Sequence, residues 1–293
     1  MDRGRAVVTA GTGGIGLETA MGLAAAGHAV TVVGRDARRG ALALERIGSV
    51  ATSAKPRFET TDLASLDDVR ALAARLAAAG PLTLLVNNVG GMFTDHRQTV
   101  DGIEASFAVN HLSPYLLTEL LLEPLHAGGP SRIVNVSSGA IQAAKPVFDA
   151  VEPPGAYYAF HWYGRAKLAN LAYTWELAER LRGTGVSVFA ADPGGAATEM
   201  TDGTLLSPEI VSPGLRLMWP LVRRVFERST SGPASEASRS SVFAATDASL
   251  AGRTGLLIGS RSRPVPPARR STDQRLIKDV RLLSRRLAPL RPA

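Results

Sequence analysis

Cysteine is absent from this 293-residue sequence, which excludes disulfides, thiol nucleophiles and Cys-ligated zinc. Also absent is any apolar run near the roughly 18 residues that a membrane-spanning helix requires. The opening stretch, MDRGRAVVTA, passes almost at once into an apolar strand, so neither a signal peptide nor an anchor is expected. These absences together lead to the expectation of a cytoplasmic protein without a membrane span. No internal repeat is visible, and no metal site is expected. Charge is scarce as well, except at one end. The formal net charge is +7, yet residues 261–293 alone carry ten Lys/Arg against two Asp/Glu. The other residues carry 23 basic and 24 acidic groups, so the body is neutral and only the tail is basic. A nucleic-acid binder would line a folded face with that charge, so no nucleic-acid partner is expected.

What remains is a chain that is 45% apolar and 20% charged, long enough for one large α/β domain with a buried core. Apolar, β-branched runs alternate with segments of helical period. The predicted strands lie at 5–10, 29–34, 57–61, 83–88, 132–138, 186–191 and 254–259, and the predicted helices near 14–26, 36–47, 66–79, 100–126, 157–182 and 235–246. That alternation predicts an α/β fold: a doubly wound Rossmann fold, with a seven-stranded parallel sheet flanked by helices on both faces. Residues 1–260 form the expected domain, with a loop or lid at 195–235. Residues 261–293 are read as a basic, Pro-rich linker and a C-terminal amphipathic helix, capped near Thr272 or Asp273, with Leu276, Val280, Leu283 and Leu287 on one face.

Between the first strand and first helix stands TAGTGGIG, Thr9 to Gly16. A loop there can bring backbone N–H groups and the positive helix end against a pyrophosphate, and glycine lets the backbone approach closely. Gly11, Thr12, Gly13, Gly14, Ile15 and Gly16 are therefore candidate cofactor residues. A glycine-rich turn alone is a weak signal. The end of the second strand, VTVVGRD, adds Arg35 where an arginine can pair with a 2′-phosphate, which points to NADP rather than NAD.

Further on, Tyr163 and Lys167 stand four apart on one helical face. A nearby ammonium favours the phenolate, so the lysine is expected to lower the tyrosine pKa and make it an acid–base group for a carbonyl or alcohol oxygen. Tyr157 and Tyr158 have His161 and Trp162 at that spacing and lack such a partner.

These motifs, joined by TTDLAS, NNVG at 87–90, VNHL at 109–112, IVNVSS at 133–138 and DPGGAATEM at 192–200, resemble the short-chain dehydrogenase/reductase family in order and placement. The resemblance implies that Ser138 bonds the substrate oxygen, that Tyr163 donates or accepts the proton, that Lys167 holds the nicotinamide ribose, and that Asn110 keeps a water relay in place. It further implies that Asp62 and Leu63 lie near adenine, that Asn87, Asn88 and Gly90 line the cofactor, and that Pro193, Gly194 and Thr198 flank the nicotinamide. NADPH is the implied cofactor, preferred over NADH.

Two departures bear on the branch. Ala10 replaces a glycine shared by the family's loop patterns, and a weakened approach of backbone to cofactor is expected there. The 25 residues from Ser138 to Tyr163 are about twice the gap of compact members. That insert, with Phe148-Asp149 near its middle, resembles the retinol dehydrogenase, WW-domain oxidoreductase and protochlorophyllide reductase group. The implied activity is NADP(H)-dependent carbonyl reduction or alcohol oxidation on a bulky apolar small molecule. Reduction of a C=C bond, an epimerase step, or a non-catalytic NADP-binding sensor stand as alternatives, and a homo-oligomer is left open. In 195–235, Leu215, Met218, Val222 and Val225 keep helical spacing among arginines, as for an apolar lid, a subunit contact or a membrane-surface helix.

Overall fold

Strand residues in this chain alternate between two apolar layers, as the period of two in a pleated strand requires. Val7, Val33, Leu85, Ile133 and Val188 face one layer, while Val8, Val32, Val86, Val134 and Phe189 face the other. Strands buried on both faces read as unbroken apolar runs, which is why they were visible in the sequence. A computed structural model describes residues 3–152, 155–195, 207–229 and 232–290.

The strands are β1 (Arg5–Thr9), β2 (Ala29–Gly34), β3 (Arg57–Thr60), β4 (Leu84–Asn87), β5 (Ser131–Val136), β6 (Val186–Ala191), β7 (Leu256–Gly259) and β8 (Arg263–Val265). They form one sheet in the order β3-β2-β1-β4-β5-β6-β7-β8. All pairs are parallel except β7 with β8, where Leu257 lies opposite Val265. The expected seven-stranded sheet is thus eight-stranded. The extra strand comes from the Pro-rich stretch read as a linker. A short antiparallel edge strand containing Pro264 can pair because proline is tolerated at a sheet edge.

Helices α1 (Gly14–Ala25), α2 (Ala37–Gly48) and α3 (Leu66–Ala78) fill the first three crossovers. Asp36 caps α2 by accepting from Arg39 N at 3.0 Å, and Ser65 caps α3 by accepting from Asp68 N at 3.2 Å. The long helix expected over 100–126 is broken into three: α4 (Ala105–Phe107), α5 (Ser113–Leu120) and α6 (Leu122–Ala127). A π-helical turn, Ala108–Leu112, separates the first two. Glu104 starts the run with both carboxylate oxygens, accepting from Ser106 N at 2.7 Å and Phe107 N at 2.8 Å.

Helix α7 (Ala159–Arg180) runs beneath the sheet and is buried along most of its length. It is followed by α8 (Pro213–Leu217), α9 (Trp219–Ser229), α10 (Ala234–Ala237), α11 (Arg239–Thr246) and α12 (Gln274–Leu287). The last is capped by Asp273, which accepts from Leu276 N at 2.9 Å, and Leu276, Val280 and Leu283 are buried on α7. Each such aliphatic side chain contributes about 1.5–3 kcal/mol on burial, enough to fix α12 to the body. Among the described residues, no helix is long and apolar enough to cross a membrane.

Candidate active site

Strand order reverses between β1 and β4, and in a doubly wound sheet that reversal opens a crevice beyond the carboxyl ends of the strands. Every described candidate residue follows such a strand end, except Asn87, still within β4, and those on α7 and the π turn. Thr9 and Asn88 close the two sides of the crevice. Thr9 Oγ1 accepts from Asn88 N at 3.0 Å and Val89 N at 3.1 Å, while Asn88 Nδ2 donates to Thr9 O at 3.1 Å and Ala10 O at 3.3 Å.

The glycine loop bends tightly over this joint. Helix α1 begins at an extended Gly13 with no side-chain cap, so its first N–H groups are open to an anion. A Cβ on Gly16 would run into the carbonyl oxygen of Ala10 and the amide of Asn88, so glycine is required there by close approach. Ala10 itself sits in the left-handed region at φ 50°, a conformation that the missing glycine would adopt without cost. The expected penalty of Ala10 is therefore one of backbone conformation in Ala10 itself, not only of proximity to a ligand. A Cβ on Gly13 would meet only the Arg39 guanidinium, 2.6 Å away. The cradle thus has room for a phosphate group once the flexible end of Arg39 shifts, and the loop fits a dinucleotide.

Arg35 is exposed just past β2, and Asp62, past β3, is exposed with its carboxylate accepting from Ala64 N at 3.0 Å. Leu63 is buried beside it. Asn87 does not line the crevice. Its side chain points into the protein, donating to Thr118 Oγ1 and Asn135 Oδ1, both at 2.8 Å, because the residue is still within β4 and faces the α-helical layer.

The acid–base residues converge at the ends of β4 and β5. Ser138 caps the 3₁₀ turn Gly139–Ala143, accepting from Ala140 N at 3.2 Å, and shares a hydrogen bond with Tyr163. Burial pushes the Tyr163 phenol up to about 12, the Ser138 bond opposes the rise, and Asp192 adds to it. Lys167 is not what sets this value. Its Nζ lies 6.0 Å from the Tyr163 ring centroid and donates to Val89 O at 3.0 Å and Val136 O at 3.1 Å. The expectation that the ammonium lowers the tyrosine is corrected accordingly. Burial instead lowers Lys167 itself, to about 8.

Gly90 stands against both neighbours: a Cβ there would lie 3.4 Å from Lys167 Nζ and 3.5 Å from Asn110 Oδ1. Asn110 sits in the π turn, a distortion that recurs where a helix must aim a functional side chain. Its amide embraces Gly91, accepting from Gly91 N at 2.9 Å and donating to Gly91 O and Ser106 O, both at 2.8 Å. Pro193 is buried and Gly194 exposed after β6, with Gly194 N donating to Asp192 Oδ1 at 3.0 Å. Thr198 lies outside the described residues.

Three residues that the sequence reading passed over shape this site. Arg39, one turn after Arg35, brings its guanidinium to Gly13 of the glycine loop, and the spacing of four from Arg35 was the available signal. Gly164, inside the Tyr163-to-Lys167 turn, lies where a Cβ would strike the carbonyl oxygen of Ala140. Arg165, only 1% exposed, donates to Val147 O, Ala150 O and Val151 O at 2.9 Å each and lies 4.8 Å from the ring centres of Phe107 and Phe148. It ties the insert to α7, and nothing in a lone arginine's sequence context announces that.

At the start of α7, Phe160 and the preceding Tyr157 meet Met92, from the loop after β4, and Leu215, Trp219 and Phe226 from the 207–229 segment, around Ile210 and Val211. Phe160 and Phe226 touch edge to face at 4.8 Å. Among the described residues, no group of three or more His, Asp or Glu is placed to hold a metal.

The model of the short chain dehydrogenase family matches residues 5–206. Mouse retinol dehydrogenase 12 is 38% identical over 227 residues, covering 77% of this chain and 69% of the mouse protein. Zebrafish (Danio rerio) polyprenol dehydrogenase is 35% identical over 278 residues, covering 92% of this chain and 82% of its own. The chain spans about two-thirds of the length of the curated retinol dehydrogenases it matches. Among solved structures, the Pseudomonas aeruginosa RhlG/NADP active-site complex superposes with a TM-score of 0.67 at 26% identity, covering 88% of this chain and 95% of RhlG.

Proposed function

Because this chain belongs to the short-chain dehydrogenase family and to its retinol dehydrogenase group, we propose that it is an NADP(H)-dependent oxidoreductase interconverting a carbonyl and an alcohol on a bulky apolar molecule. The observation that carries the reading is the convergence of Ser138, Tyr163 and Lys167 at the carboxyl ends of β4 and β5. A bound nicotinamide supplies the hydride in reduction and receives it in oxidation.

The chain's own residues handle the proton. With its phenol at about 12, Tyr163 is protonated at neutral pH and ready to donate to a carbonyl oxygen as that oxygen gains charge. Ser138, bonded to Tyr163, gives the same oxygen a second hydrogen bond and fixes its position. Lys167 places its ammonium between two carbonyls at the ends of β4 and β5, beside Gly90 and within reach of a ribose in the crevice. In oxidation the same phenol must first lose its proton, which its burial opposes.

NADP over NAD is supported by the Arg39 guanidinium at Gly13 of the glycine loop, by Arg35 exposed just past β2, and by the NADP held in the RhlG structure. The substrate class is supported by the apolar cluster that joins the start of α7 to the 207–229 segment, and by relatives named for retinol and polyprenol, both apolar alcohols. The test is titration of the purified protein with NADPH and with NADH by nicotinamide fluorescence, followed by a panel of apolar aldehydes and ketones. NADPH is expected to bind at least about tenfold more tightly, and an apolar carbonyl to be consumed with it. Binding of neither nucleotide overturns the proposal.

A further inference from the structure

The C-terminal segment packs by an apolar stripe, and Leu276, Val280 and Leu283 suffice for that. Arg70 of α3 also holds the segment's end, donating to Leu290 O at 3.1 Å and Pro289 O at 2.5 Å, but three side chains before it, Arg270, Ser271 and Ser284, reach the parts of the chain that carry the acid–base residues. Arg270 donates to Gln142 O at 3.2 Å and Ala144 O at 3.4 Å, at the far end of the 3₁₀ turn that Ser138 caps. Ser271 Oγ accepts from Trp175 Nε1 at 3.2 Å, on the helix that bears Tyr163 and Lys167.

Ser284 reaches the π turn. Its hydroxyl donates to Val280 O at 2.7 Å, so its lone pair faces His111 Nε2 at 2.6 Å. The serine has a single proton and has spent it on Val280, so His111 carries its proton on Nε2 and donates. His111 is fully buried, next in sequence to Asn110, and its Nδ1 has no hydrogen-bond partner. The imidazole is held in place by ring contacts with Phe107 at 5.0 Å and Tyr115 at 6.2 Å, and by that one polar contact.

We infer that residues 269–287 form a brace for the active site, in which Arg270 positions the Ser138 turn and Ser284, through His111, positions the Asn110 turn. Arg270, Ser284 and His111 are positioning residues, since none stands among the reacting groups. The assignment rests on the oxidoreductase reading for its kinetic effect, but its structural half holds without it. Each of these turns is only five residues long, and displacements on the scale of 1 Å at a reacting group lower rates by orders of magnitude.

The experiment compares wild type with Ser284→Ala, Arg270→Ala and Arg270→Lys by steady-state kinetics, by NADPH titration and by amide hydrogen exchange of the ligand-free protein. Ser284→Ala is expected to accelerate exchange selectively at 107–112, and Arg270→Ala at 139–144, with the sheet amides unchanged. Each is expected to lower kcat about tenfold with KM and nucleotide affinity held within about twofold, and Arg270→Lys to recover part of the loss. Arg270 is exposed, so its variants fold even if Ser284→Ala does not. Unchanged kcat and exchange in the Arg270 and Ser284 variants, or exchange raised uniformly across the sheet, would overturn the brace. Absence of turnover in the wild type would instead sink the oxidoreductase reading, leaving the exchange pattern to decide the brace alone.

Discussion

Gly164 and Ala140 meet where α7 crosses the turn behind Ser138, with the Ala140 carbonyl oxygen in the space a side chain on Gly164 would fill. This contact sets how near Tyr163 can come to Ser138. Gly164→Ala gains helix propensity of about 1 kcal/mol in α7 but forces its methyl against the Ala140 carbonyl, a clash that costs about 1–3 kcal/mol. The expected net result is a small loss of stability and a loss of activity of about a hundredfold, because the tyrosine and serine are pushed apart. Urea denaturation and kcat on the same preparation separate the two effects.

Ala10 carries the opposite kind of misfit. Its backbone is left-handed at φ 50°, and Ala10→Gly removes a conformational penalty of about 1 kcal/mol, partly offset by the freer unfolded chain. The expectation is a variant that is more stable, by up to about 1 kcal/mol, and binds nucleotide at least as well as wild type. A lower denaturation midpoint would show that the methyl packs usefully and that the strain is compensated.

Tyr163→Phe removes the proton donor while leaving the crevice. Turnover is expected to fall by about 10²–10⁴ with nucleotide affinity retained, since general acid catalysis contributes on that scale. The pH profile of the reductive reaction adds an independent check. Tyr163 remains protonated well above neutrality, so the group that titrates first is Lys167, charged below about 8 and neutral above it. Activity is therefore expected to hold through neutral pH and decline as pH rises past about 8. Lys167→Arg, which stays charged, should move that decline upward if it folds with the guanidinium between the same carbonyls.

Arg39 and Arg35 give the nucleotide test a residue-level form. Replacing either with alanine is expected to weaken NADPH binding about tenfold and to leave NADH within about twofold, since only the former has a 2′-phosphate to pair. Equal weakening of both nucleotides would place the arginine against the pyrophosphate instead.

Much of this site was visible in the sequence because each part lies at the end of an element with its own local signal. The apolar runs of β1, β4 and β5 place the glycine loop, Asn88 to Gly90 and Ser138 at carboxyl strand ends, and the spacing of four puts Tyr163 and Lys167 on one helical face. What was not legible depends on contacts between distant segments. Asn87 and Asn88 are adjacent and chemically identical, yet one turns into the core and the other into the crevice, and only the strand's register decides which. The direction of the Tyr163 shift is set by burial, which no spacing reveals: Lys167 is near in sequence, but its ammonium donates to two carbonyls and not to the phenol. β8 escaped notice because Pro264 reads as a breaker unless the strand is known to lie at an edge.

His111 supplies the last prediction, on acid stability. Burial holds this imidazole far below its ordinary value, at about 3, with Arg165 pushing the same way. In the unfolded chain it titrates near 6.5, so between about 6.5 and 3 the unfolded state binds a proton that the folded state refuses. By that linkage stability rises with pH across this window, and it is lost as pH falls from about 6.5 toward 3. The loss from this group alone is on the order of 4 kcal/mol at the acid end, since each pKa unit is worth about 1.4 kcal/mol. Protonation would also create an N–H at Nδ1 with no acceptor, in a pocket walled by Phe107, Tyr115 and Tyr173. His111→Asn can keep a donor toward Ser284 and cannot become charged. It is expected to start less stable at neutral pH because a ring is lost from the core, but to lose less stability on acidification than wild type. Denaturant midpoints of both proteins measured from pH 7 to pH 4 check this, and parallel curves would mean that the imidazole finds room for its charge.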